Sequence, residues 1–117
     1  MSARIPPGDI PAGTLTLMVL RTLEQMGPLH GYGIARRIEQ VSLDRIQLNQ
    51  GTIYPALLQL EQRGWIKASW GVSENNRRAR FYAITRPGRR RLTAEEARWR
   101  IASDTILRFL APRGETS

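Results

Sequence analysis

The sequence predicts a mainly α fold that carries one small β-hairpin and ends in a long helix. Three observations lead there. Apolar residues recur every three or four positions in four stretches, the period of a helix buried along one side. Two stretches between residues 65 and 84 alternate instead, the period of a strand. At 117 residues the chain has room for one core and no second one.

Met1 to Pro11 holds Pro6, Pro7 and Pro11 without an apolar block, so residues 1–12 read as a flexible arm and not as a secretion signal. Thr14 offers a cap to a first helix whose stripe is Leu15, Met18, Val19, Leu23 and Met26, and Gly27-Pro28 stops it. Leu17 and Leu20 lie off that stripe. A helix apolar on two sides needs cover on two sides, which points to a second copy of the chain. Gly31 to Val41 sets Ile34, Ala35, Ile38 and Val41 on one face and Arg36, Arg37, Glu39 and Gln40 on the others, a second helix. His30 is the one histidine. With no partner histidine or nearby acid, it reads as a structural or capping residue and not as a ligand or proton carrier.

Ile46 and Leu48 alternate around Gln47, a very short strand, and Asn49 then caps a third helix over about 50–63. Its buried stripe is Ile53, Leu57 and Leu60, with Gly64 as a left-handed stop. Pro55 lacks an N–H, so either the first turn is loosened or the regular helix begins nearer Thr52. Trp65 to Trp70 and Arg80 to Ile84 alternate, with Ile66, Ala68 and Trp70 on one face of the first and Tyr82 and Ile84 on one face of the second. They make a hairpin. Its connection, Gly71 to Ala79, is too polar for a core and too long for a tight turn, so it projects as a basic loop.

Thr85 caps a last helix, with Pro87 in its first turn, running to about Leu110 before Pro112 and Gly114. Leu92, Trp99, Ala102, Ile106 and Phe109 follow one another at coiled-coil spacing, and Leu110 adds to the same apolar end. No element of this chain is left to cover them, so a second chain is expected there. The division is a 1–12 arm, a 13–84 body, an 85–111 dimerisation helix and a 112–117 tail.

Charge narrows the function. Eighteen Lys plus Arg against 10 Asp plus Glu give +8, a pI near 11.4, and Lys67 is the one lysine. Arginine suits bidentate phosphate and guanine contacts. From Arg63 to Arg91 nine basic residues face one acid, Glu74. Such a run is either a solvated face or the seat of a polyanion, which for a chain expected in the cytoplasm means nucleic acid. Zero cysteines exclude disulfides and thiolate metal sites, and one histidine excludes a His cluster. With no Gly-rich phosphate loop and no paired carboxylates beside a base, neither an enzyme nor a metal or cofactor is expected. No window approaches the roughly 20 apolar residues of a membrane span.

Helix, helix, short strand, helix and two-stranded wing is the order of a winged helix-turn-helix, whose third helix enters the major groove of DNA. The residues also carry a resemblance. Leu29-His30-Gly31-Tyr32-Gly33-Ile34, then Gly51-Thr52-Ile53-Tyr54-Pro55-Ala56-Leu57 with Leu60-Glu61 and Gly64-Trp65-Ile66, then Glu74 to Tyr82 with Thr85 and Gly88, resemble in order the motifs of the PadR family of transcriptional regulators. The match spans about residues 13–92. It implies a homodimeric repressor of detoxification, phenolic-acid or multidrug-efflux genes, paired through the C-terminal helix, commonly against the partner's first helix. With one helix after the wing, the chain is similar to the short subfamily and lacks the longer members' extra helical domain.

With Ile53, Leu57 and Leu60 inward, Thr52 and Tyr54 are expected at phosphates and Gln59 at a base edge, where glutamine pairs adenine. Leu58 faces outward too, either to a thymine methyl or sideways onto Trp65 or the wing. Asn75, Asn76, Arg77 and Arg78 are expected in the minor groove or on its phosphates, and Arg80 on the adjoining backbone. Arg86, Arg89, Arg90 and Arg91 crowd the positive end of the last helix, at ~0.3–1 kcal/mol each in low salt. Phosphates alongside, or Glu95 and Glu96 within the helix, relieve that cost. Trp99 either fills the dimer interface or, by resemblance to multidrug-binding members, stacks a small aromatic effector. The alternative function is a winged-helix RNA-binding or protein–protein module without operator specificity.

Overall fold

A computed structural model of the chain describes residues 4–11 and 13–112. Four helices surround a three-stranded antiparallel sheet: α1 (Thr14–Met26), β1 (Leu29–His30), α2 (Gly31–Val41), α3 (Gln50–Gln62), β2 (Ile66–Val72), β3 (Arg78–Ile84) and α4 (Arg86–Leu110). The strand order is β1-β3-β2. The hairpin register runs from Ile66 opposite Ile84 to Val72 opposite Arg78. One core joins Val19, Leu20 and Leu23 of α1, Ile34 and Ile38 of α2, Ile53, Leu57 and Leu60 of α3, Ile66, Tyr82 and Ile84 of the sheet, and Leu92 of α4.

A backbone hydrogen bond ties Ile5 to the loop after α2. The Ile5 N–H donates to the Arg45 carbonyl at 2.7 Å, and Pro7–Asp9 forms a 3-10 turn. Within the expected 1–12 arm, residues 4–11 thus carry one anchor to the body and one local turn. Residues 1–3 and 12 of that arm, and 113–117 of the tail, lie outside the described residues. Thr14 does not cap α1 either: Gly13 holds the cap position in the left-handed region, and the Thr14 hydroxyl is buried without a hydrogen-bond partner.

On α1 the buried arc is wider than one stripe. Leu20 is 0% exposed inside the chain's own core, so it has no surface to give a second copy, whereas Leu17 stays partly exposed. The cause is the number of neighbours, since α1 touches α2, α3, β3 and α4. Met26 and Val41, expected inward, stand outward at their helix ends.

The strand expected at Ile46 and Leu48 is absent, and the hydrogen bonds say why. The Ile46 N–H donates to the Ser42 hydroxyl and the Leu48 N–H to the Glu39 carboxylate, both at 3.1 Å, so α2 and the residue that caps its C-terminal end take the donors a strand partner would need. Both side chains are still buried, and the alternation records burial without pairing. The third strand is β1, two residues long, with Leu29 opposite Tyr82 and His30 opposite Phe81.

Pro55 sits inside α3 without displacing its start. The Asn49 side chain accepts from the Thr52 N–H at 3.0 Å, and Pro55 itself is exposed. Gly64 ends the helix at φ +76°. The wing's strands are longer than alternation implied, so Arg78 lies in β3 and the connecting turn shrinks to 73–77, closed by the Ser73 N–H on the Arg77 carbonyl at 2.8 Å.

Helix α4 begins where sequence places it, with the Thr85 hydroxyl accepting from the Gly88 N–H at 3.1 Å and donating to the Gly64 carbonyl at 2.6 Å. It then divides. Leu92 and Glu95 are buried against the body, so Leu92 does not belong to an outward seam, and every residue from Ile101 to Leu110 is exposed. Of the four arginines crowding its start, Arg91 alone meets an acid among the described residues: Glu95 pairs with Arg91 and Arg98, and Glu96 pairs with Arg21 and Arg100, away from that cluster.

Candidate nucleic-acid interface

Two local choices in the sequence build the site. His30 ends β1 and caps α2, its Nδ1 accepting from the Gly33 N–H at 3.0 Å. That turns α2 so that its apolar stripe faces the core and Tyr32, Arg36 and Gln40, one turn apart, face out. Position 31 has no side chain because the Tyr54 ring of α3 occupies the space: a Cβ there would stand 2.7 Å from the ring and 3.1 Å from its hydroxyl oxygen. Tyr54 thereby joins α3 to the start of α2 while keeping 44% of its surface exposed.

The wing supplies the facing wall. The outer halves of β2 and β3 extend past the core, so the row that is buried at Ile84 and Tyr82 continues as exposed Arg80 and Arg78, with Trp70 across from them at 60% exposure. The Arg78 guanidinium stands 4.5 Å from the Trp70 ring centre and Arg80 stands 6.0 Å from it, within reach of a cation–π attraction. Between this wall and α2 runs a groove lined by Tyr32, Arg36, Arg37, Tyr54, Trp70, Asn75, Arg77, Arg78 and Arg80, with Glu74 as its one acid and Tyr82 at its floor. Burial raises the Tyr82 hydroxyl pKa above its usual 10.0, against the opposing pull of the Arg80 guanidinium.

Charge in the groove is mostly unbalanced. Among the described residues Arg37, Arg77 and Arg78 pair with no acid, while Arg36 meets Glu39 at 3.5 Å and Arg80 meets Glu61 at 2.9 Å. Guanidinium groups that are not neutralised, beside aromatic edges and phenol hydroxyls, suit a phosphate backbone. Among the described residues no three His, Asp or Glu stand together as metal ligands, and no helix is long and apolar enough to cross a membrane.

Of the residues singled out by sequence, Tyr54, Asn75, Arg77, Arg78 and Arg80 meet in this groove. Thr52, Gln59 and Asn76 lie outside it. The Thr52 hydroxyl already donates to Asn49 Oδ1 at 3.1 Å, Gln59 is exposed on the outer face of α3 beside Leu58, and Asn76 holds the wing turn at φ +58°. Sequence reasoning missed Tyr32, Arg36, Arg37 and Trp70 as groove residues. The signal for the first three was present, because the apolar stripe of α2 leaves them outward. For Trp70 alternation gave the face but not the point at which the core beneath the wing ends.

This is a winged-helix DNA-binding architecture, and comparisons with known proteins agree. Residues 19–94, more than half of the chain, match the transcriptional regulator PadR-like family. The chain belongs to that family of DNA-binding transcriptional regulators. A transcriptional regulator from Clostridium thermocellum superposes with a TM-score of 0.76 at 26% identity, covering 85% of this chain and 95% of that one. A PadR family regulator from Eggerthella lenta gives 0.72 at 28%, covering 90% and 85%. Another PadR family regulator, from Clostridium difficile, gives 0.71 at 28%, covering 85% and 100%. A curated relative from Lysinibacillus sphaericus, itself uncharacterized, is 26% identical over 102 residues, 87% of this chain and 93% of that protein.

Proposed function

We propose that the protein is a cytoplasmic, homodimeric repressor that holds operator DNA with α3 and the groove beside it and releases it when a small aromatic effector binds near Trp99. The observation that carries the DNA contact is the arginine and aromatic lining shared by α2, α3 and the wing. In this reading Thr52, Tyr54, Arg77 and Arg78 take phosphates, joined by Tyr32, Arg36 and Arg37. Gln59 reads a base edge, and Asn75 and Asn76 carry the wing tip to the minor groove. Arg80, held by Glu61, supports the wing more than it meets the backbone.

The dimer reading rests on the outer part of α4. Ile106, Phe109 and Leu110 are 58%, 82% and 72% exposed, and burying each contributes ~1.5–3 kcal/mol. A groove of about 340 Å³ lies between α1, α2 and α4, with Leu17, Met18, Ile38 and Val41 as its apolar lining and Arg21, Arg37, Glu96 and Arg100 as its charged rim. In this reading the partner's helix end enters it, with Trp99 and Ala102 on the same side. Residues 13–84 then form the DNA-binding unit, and the pairing part of 85–111 starts near Trp99.

Binding is tested by anisotropy titration on duplex DNA from the gene's own upstream region, on a scrambled duplex and on RNA, over a range of salt. A preference for the upstream duplex is expected, with log affinity falling against log salt at a slope of roughly five for about six phosphates. Preference for RNA is the outcome favoured by the second reading, for which exposed Tyr32 and Trp70 offer stacking surfaces. Planar cationic aromatics are expected to quench the emission that Trp99→Phe removes and to release the duplex. No quenching and no release removes the effector.

A further inference from the structure

Acids oppose phosphate, and of those beside the groove arginines, Glu39, Glu61 and Glu74, Glu61 is the one that bonds from α3 across to the wing among the described residues. Glu61, near the end of α3, accepts from Arg80 Nη2 at 2.9 Å, across 19 residues of chain. Among the described residues this is the one side-chain hydrogen bond between α3 and the wing. Arg80 lies opposite Trp70 in the hairpin register, and Arg78, two residues along the same face, stacks on the same indole. Glu61, Arg80, Trp70 and Arg78 thus form a continuous chain from the recognition helix to the outer wing.

Both partners are partly exposed, 44% for Arg80 and 28% for Glu61, and pairs of that kind contribute little to stability. A two-stranded ribbon standing clear of its core is also loose by itself. The use of the pair is therefore geometric. It sets the angle between the wing and α3, and it neutralises an arginine that would otherwise attract phosphate in any register.

Building on the regulator reading above, we infer that Glu61 is a specificity-determining positioning residue: through Arg80 and Trp70 it holds Arg78 where it meets DNA only in the register that α3 sets. A free wing reaches phosphates on any sequence, so specificity falls even where affinity rises.

The test compares the full chain with Glu61→Gln and Arg80→Gln on the upstream and scrambled duplexes, with thermal midpoints measured alongside. The two substitutions change net charge in opposite senses, so overall affinity is expected to rise in the first and fall in the second. Preference for the upstream duplex is expected to drop about tenfold in both, within the range of one mismatched base pair. Opposite shifts in preference mean bare charge and overturn the inference. So does unchanged preference, with or without a lower midpoint. A wild-type chain that prefers neither duplex overturns the regulator reading itself, a result distinct from a preference that both variants keep.

Discussion

At position 31 a methyl group would stand 2.7 Å from the Tyr54 ring, yet that ring is half exposed and has room to swing away. Gly31→Ala is therefore expected to leave the fold intact, with a thermal midpoint within ~4 °C of wild type. Affinity for duplex DNA is expected to fall by about tenfold as Tyr54 leaves the groove. Unchanged affinity by anisotropy would separate Tyr54 from DNA binding. Sequence made Tyr54 visible as a residue at the edge of the buried face of α3. Its contact with Gly31 joins two elements distant in sequence, which no local period records. His30 was legible for the opposite reason, because its cap lies within four consecutive residues, His30 to Gly33. Leu20 misled because a stripe drawn for one neighbour understates a helix covered by four elements.

Among the elements, α4 joins the DNA-binding body to its exposed end, and its first turn is set tightly. A Cβ at Gly88 would stand 2.0 Å from the Trp65 carbonyl oxygen, a backbone atom that cannot step aside. Gly88→Ala is expected to cost ~3 kcal/mol or more and to lower the thermal midpoint by roughly 10 °C or more. A midpoint within ~2 °C of wild type would show that α4 is not seated there. All four helices were legible, since each has a period and three of them a marked stop. The sheet was half legible: the hairpin alternates, but β1 is two residues long, shorter than any period. The same alternation at Ile46 and Leu48 reflects burial in a loop whose N–H groups Ser42 and Glu39 take.

At the scale of the whole molecule the chain measures 59 × 35 × 22 Å, drawn out by the half of α4 that leaves the body. Its +8 charge was legible from composition, but not the assembly of α2 and the wing into one groove, which depends on how far β2 and β3 outrun the core. The proposed dimer places two such grooves on one duplex, and the absence of cysteine from the sequence gives a direct way to locate them. Asn75→Cys, at the exposed wing turn, accepts a single DNA-cleaving iron chelate. On the upstream duplex the account predicts two cleavage clusters related by two-fold symmetry and separated by about one or two helical turns, both lost when Phe109→Asp breaks the pairing of α4. A single cluster, or uniform cleavage along the duplex, would contradict it.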